Sequence, residues 1–337
     1  MTSTTWRADP RGIADPFGER VPLALSCSFS LLGASFEFHS DCPKLLALVD
    51  EAYRGLPAHV LDGPPLRVEL RQAQGDSAFG AEPPKVCMLG GAGLVGAAAD
   101  AHNLVLVSPQ TGRAVVQLSR AMLSFPYHAR YELIEFAVFQ LAARTQGLIA
   151  LHAGCVGMNG AGALLMGESG AGKSTLALHA MLQGLDFLTE DASFVEPRSQ
   201  RLTGVSNFLH LRFDALGWVD DAVLRECMQA APVIRRRSGV EKYELDLRAG
   251  WARLAPAPLQ LEHLVFASSE PAFVDDVLRP LDADEVLRRL HLSQPYAAGQ
   301  PGWASFVESC IRLPGWELRR GSHPRVGAHA LKGLFNA

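Results

Sequence analysis

The run Gly167-Glu168-Ser169-Gly170-Ala171-Gly172-Lys173-Ser174-Thr175 fits G-x-x-x-x-G-K-[ST], the spacing of a phosphate-cradling loop. Three glycines in it allow backbone conformations that a Cβ would block, so successive N–H groups can turn inward onto phosphate oxygens. Lys173 carries a cation to the β- and γ-phosphates, and Ser174 offers a hydroxyl where Mg²⁺ would sit. A helix beginning at this point adds its positive end to the same anion site.

The flanks agree with that reading. Ala163-Leu164-Leu165-Met166 is a short apolar run that predicts a buried strand. Ser174 to Gln183 predicts a helix closed by Gly184. Strand, glycine loop and helix is the order a P-loop requires, and the fold class expected is α/β.

The chain has 337 residues, enough for two domains, with 48% hydrophobic and 20% charged residues. A net charge of −4 gives no footprint for nucleic acid. Six cysteines are scattered without a C-x-x-C pair, which predicts reduced thiols and a cytoplasmic setting. Residues 1–20 mix charges and prolines and predict an irregular arm rather than a signal peptide. The uncharged stretch 145–167 carries glycines, His152 and the Asn159-Gly160 turn, so it predicts strands and no membrane span.

Residues 1–125 predict a small, strand-rich α/β domain of unassigned role, and residues 126–337 a domain built around the P-loop. In the first part, strands are expected over 24–38, 66–71, 103–108 and 114–118, with a helix over 43–54. Gly90-Gly91-Ala92-Gly93 predicts a tight turn rather than a dinucleotide fingerprint, because no acidic residue closes a βαβ unit behind it. Residues 127–145 carry a broad apolar helical face. After the P-loop helix, Asp186 to Asp191 reads as a strand ending in two carboxylates, Glu190 and Asp191.

Over residues 151–196 the chain resembles the catalytic core of HPr kinase/phosphorylase, and most of all the divergent HPr kinase-related kinases. It supplies in order Leu151-His152-Ala153, a hairpin turn at 157–160, the glycine loop and Glu190-Asp191. The resemblance implies a kinase domain of the HPr kinase/phosphoenolpyruvate carboxykinase type. It also implies ATP and Mg²⁺ as cofactors and a Ser or Thr hydroxyl of an unidentified protein or peptide as acceptor. A homo-oligomer is compatible with it. Three departures stand out. The acidic pair is Glu-Asp where those kinases have Asp-Asp, Thr175 stands where they usually have Glu, and residues 1–125 do not match their N-terminal domain.

Phosphoryl transfer needs phosphate charge neutralised, a metal, and a group that positions the attacking hydroxyl. Residues 167–175 are the expected nucleotide-binding set, with Lys173 on the phosphates. Ser174 and Asp191 are the expected metal pair, and Glu190 or His152 the group acting on the acceptor. Arg235-Arg236-Arg237 and Lys242 read either as a solvated loop or as cations reaching the γ-phosphate. A small-molecule kinase and a non-catalytic ATP-binding regulator are the alternatives to a protein kinase.

Overall fold

The computed structural model describes residues 23–168, 170–273 and 277–336. The expected arm over residues 1–20 and Ser169 of the glycine loop lie outside them. The architecture is mixed α/β, with three sheets.

The first sheet has strands β1 (Leu25–Leu31), β2 (Ala34–Ser40), β3 (Leu66–Gln72), β4 (Cys87–Gly91), β5 (Leu94–Ala98), β6 (Leu104–Ser108) and β7 (Arg113–Leu118). Their spatial order is β1-β2-β3-β7-β6-β5-β4. Helix α1 (Pro43–Tyr53) starts with proline at its first turn and makes the crossover between the parallel β2 and β3. Ala92 and Gly93 both take positive φ, so the glycine-rich segment is a two-residue hairpin turn between β4 and β5.

A helical run follows in three pieces. Helix α2 (Pro126–His128) passes into a π-helical turn over Ala129–Ile134 and then into α3 (Glu135–Gln146), ended by Gly147 in the left-handed region. The buried face of this run, including Leu133, Ala137, Val138 and Leu141, belongs to the core of the first sheet. It thus covers that sheet, although it falls after residue 125 in the chain.

The second sheet starts with β8 (Ile149–His152), β9 (Gly154–Met158) and β10 (Ala161–Met166). Asn159 and Gly160, both at positive φ, close the β9–β10 hairpin that the Asn-Gly pair predicts. After the glycine loop come α4 (Lys173–Leu182), β11 (Asp186–Thr189), β12 (Ala192–Val195) and β13 (Arg201–Thr203). A three-stranded sheet interrupts the order: β14 (Phe208–Leu211), α5 (Ala222–Ala230), β15 (Val233–Arg235) and β16 (Glu241–Asp246), with β16 in the middle. The chain then returns through β17 (Leu259–Pro271), β18 (Leu278–Leu281), α6 (Ala283–Ser293), α7 (Trp303–Cys310), β19 (Gly315–Arg320) and α8 (Pro324–Gly333).

The second sheet runs β11-β9-β10-β17-β13-β12-β8, with β19 on β17 and β18 on β19. Strands β10, β17 and β19 are parallel neighbours, with Met166 opposite Phe266 and Phe266 opposite Glu317. Their carboxyl ends therefore open on one side, where an open α/β sheet holds its ligands. Helices α4 and α8 join one core with the three-stranded sheet, and α6 and α7 cover another. His152 ends β8, which lies outside the hairpin. The chain breaks at Ala153, and β8 pairs with β12 while β9 pairs with β10 and β11.

Candidate active site

The glycine loop joins β10 to α4. Gly167 sits at φ +146°, and a Cβ there would lie 2.7 Å from the Ala267 carbonyl oxygen, so the loop must leave β10 on a glycine. Gly172, at φ +88°, caps α4. Lys173 folds back over the loop, its Nζ donating to the carbonyls of Gly167 at 2.6 Å and Glu168 at 3.1 Å. Burial lowers its pKa, against the opposing pull of Asp191. Gly167 and Glu168 thus contribute carbonyls to the lysine, while residues 170–175 line a cavity of about 740 Å³.

At the foot of this loop the Ser174 hydroxyl donates to Glu190 Oε1 at 2.7 Å. The other oxygen of Glu190 accepts from the backbone N–H of His210 and pairs with its Nδ1, each at 2.9 Å. Lys242 Nζ stands 3.9 Å from Glu190 Oε1. Glu190 is buried, and burial alone would raise its pKa. The charge and hydrogen bond of His210, with Lys242 and Ser174, outweigh that and hold the carboxylate well below its usual range. His210 is raised in turn: its own burial works against the charged form, and Glu190 overrides it.

The network continues beyond His210. Its Nε2 lies 3.4 Å from Glu244 Oε1, and Glu244 Oε2 accepts from Arg130 Nη2 at 2.8 Å. All three side chains are buried. The register explains the contact, since His210 on β14 stands opposite Glu244 on β16. Arg130 comes from the π-helical turn, and its guanidinium lies 4.8 Å from the centre of the Phe208 ring. A line of buried polar groups therefore runs from the glycine loop to the helix that covers the first sheet.

Asp191 is turned differently. Its side chain is 39% exposed, lines the cavity, and pairs with Arg236 at 3.6 Å. The carboxylate that meets Ser174 is Glu190, so the contact expected for Asp191 falls to its neighbour. The cause lies in β11, which shifts register against β9 between Phe187 and Thr189 and ends before either carboxylate. His152 is exposed at the cavity, with its backbone N–H and carbonyl held by the Gln294 side-chain amide at 2.8 and 3.0 Å. The histidine that pairs with Glu190 is His210. Thr175 lines the cavity from the first turn of α4.

The arginine run splits three ways. Arg235 pairs with Glu82 at 3.5 Å, Arg236 with Asp191, and Arg237 with Glu132 at 2.6 Å. Arg236 and Lys242 both line the same cavity as the glycine loop, Arg236 against Asp191 and Lys242 near Glu190.

Among the described residues, no group of three or more His, Cys, Asp and Glu side chains is arranged to hold a metal alone. A magnesium ion on a nucleotide keeps waters and phosphate oxygens and takes only one or two side chains. Ser174 and Glu190, a hydroxyl and a buried carboxylate in contact, are the pair that could hold it. All six cysteines are free. No helix among the described residues is long and apolar enough to cross a membrane.

Sequence reasoning missed His210, Glu244 and Arg130. His210 sits in Phe208-Leu209-His210-Leu211, where a histidine in an apolar strand carries no signal of its own. Only the pairing of β14 with β16 brings it to chemistry.

No family model matches the chain, and no curated protein sequence does. Among solved structures, the Hpr(Ser) kinase/phosphatase from Coxiella burnetii is similar at 14% identity, over 55% of this chain and 92% of its own, with a TM-score of 0.25. An overlap that slight does not establish a shared fold.

Proposed function

We propose that this protein is an ATP- and Mg²⁺-dependent phosphotransferase whose acceptor is a Ser or Thr hydroxyl of a protein or peptide. The observation that carries the reading is the Ser174–Glu190 hydrogen bond at the foot of a lysine-bearing glycine loop, in one cavity with Arg236 and Lys242. Phosphoryl transfer asks the protein mainly for positioning and charge stabilisation, and these residues meet that demand.

Lys173 and the backbone of residues 170–175 bind and orient the β- and γ-phosphates. Ser174 and Glu190 hold the metal, which when bound neutralises charge on the phosphate oxygens. Arg236 and Lys242, lining the same cavity, stabilise the charge that spreads over the transferring group. Glu190 is committed to Ser174 and His210, which makes it a poor proton acceptor. Asp191, half-exposed in the cavity, takes the acceptor hydroxyl's proton at its carboxylate. His152 stands at the same cavity and orients that hydroxyl. The division near residue 125, with a first part of unassigned role onto whose sheet the helical run over 126–146 packs, belongs to this proposal.

Incubation with γ-labelled ATP, magnesium and a peptide library of Ser and Thr acceptors tests the reading. Label on peptide is the expected result. Label on small molecules only, or binding without transfer, overturns the protein-kinase assignment.

A further inference from the structure

The cavity extends well past the phosphate loop. Beyond Thr175 and Leu176 it follows the carboxyl ends of β17 and β19, past Ser268 and Arg320, to Trp218 and His323. A nucleotide whose phosphates lie on the loop must send its sugar and base somewhere, and open α/β sheets hold such ligands outside the carboxyl ends of parallel strands. That crevice is bounded here by an exposed aromatic ring.

Trp218, 40% exposed, ends the 3₁₀ segment Phe213–Trp218. Its ring meets the His323 ring at 5.2 Å and 90°, and His323 meets the buried His179 at 5.2 Å and 87°. His323 is fixed further, because its Nδ1 accepts the backbone N–H of Arg325 at 3.1 Å as the cap of α8. His179 belongs to α4, the helix whose first turn carries Lys173, Ser174 and Thr175. The indole thus rests on His323 at the cap of α8, which in turn rests on His179 of the helix that presents the phosphate site. Leu176 and Leu318 supply apolar wall between the two ends.

Resting on the nucleotide reading above, we propose that Trp218 is the stacking platform for the base of the bound nucleoside triphosphate, held at its angle by His323. An indole 40% exposed at the cavity and held edge-to-face by a fixed imidazole suits a planar heteroaromatic ligand. Stacking of a base on an aromatic ring tolerates any base, so Trp218 contributes affinity more than discrimination.

The test compares ATP with inorganic tripolyphosphate, which carries the charge and lacks the base, by calorimetric titration in magnesium. Trp218→Ala weakens ATP about tenfold and leaves tripolyphosphate unchanged, and Trp218→Phe restores most of the ATP affinity. Unchanged ATP affinity in Trp218→Ala overturns the proposal. Equal losses for both ligands also overturn it, since they mark a packing defect. If the wild-type protein binds neither ligand, the nucleotide reading itself fails and the subsite falls with it.

Discussion

The Ser174 hydroxyl and the Glu190 carboxylate share a 2.7 Å hydrogen bond, joining the first turn of α4 to the end of β11. Of the two adjacent carboxylates, this one is buried and bound to His210, while Asp191 faces the cavity. The two residues should therefore fail differently. Glu190→Gln loses the charge beside Ser174, so its magnesium dependence weakens sharply. Asp191→Asn keeps nucleotide and magnesium affinity and loses transfer by at least about 10²-fold. Magnesium titrations of both variants check this. Superimposed curves for Glu190→Gln and wild type would place the ion elsewhere.

Lys173 is the cation that folds over the glycine loop, bound to the carbonyls of Gly167 and Glu168. Lys173→Ala removes both the phosphate charge and the tether on the loop. The expected loss in ATP turnover is about 10²-fold or more, with the thermal unfolding temperature little changed. Steady-state kinetics beside a melting curve separates the two effects. Wild-type turnover would remove the loop from the reaction.

Arg130 and Glu244 are a buried pair, 5% and 4% exposed, and leaving one charge without its partner is expensive. Arg130→Met should destabilise the fold by roughly 3–5 kcal/mol. Glu244→Gln should cost less once Arg130 is already gone, because the two losses share one interaction. Urea unfolding of both singles and the double measures this. Strictly additive losses would mean that the pair does not act as a unit.

His179 is buried, and desolvation, helped by His323 and Arg325, lowers its pKa to about 4. Between that value and the ordinary 6.5 the unfolded chain binds the extra proton, so stability is lost as pH falls through this window. From pH 7 to pH 5 the contribution is about 1–2 kcal/mol. His179→Phe, which has no proton to bind, should lose that much less over the same range. Identical pH dependence of chemical unfolding for both proteins would contradict the assignment.

The local part of this account was legible from the chain alone. The positive φ of Gly167, Gly170 and Gly172, the Asn159-Gly160 hairpin and the short Ala92-Gly93 turn depend on neighbours in sequence, and each follows from its own residues. The orientation of Glu190 and Asp191 was not legible. Strand alternation sets which face a residue takes only while the ladder is regular, and β11 shifts register before it ends. The break between His152 and the hairpin was not legible for a similar reason. Residues 148–156 form one uncharged stretch with no turn signal of its own, and only the pairing partners show that β8 and β9 are separate strands. His210, Glu244 and Arg130 come from three distant elements, so their meeting depends on packing that no short motif encodes.

The central claim is that residues 167–175, with Glu190 beneath them, form a site for a magnesium-bound nucleoside triphosphate. Calorimetric titration of the wild-type protein with ATP, once in magnesium and once in EDTA, tests it most directly. The account predicts saturable one-site binding in magnesium and affinity at least about tenfold weaker in EDTA. No binding at millimolar ATP, or the same affinity with and without magnesium, would contradict it.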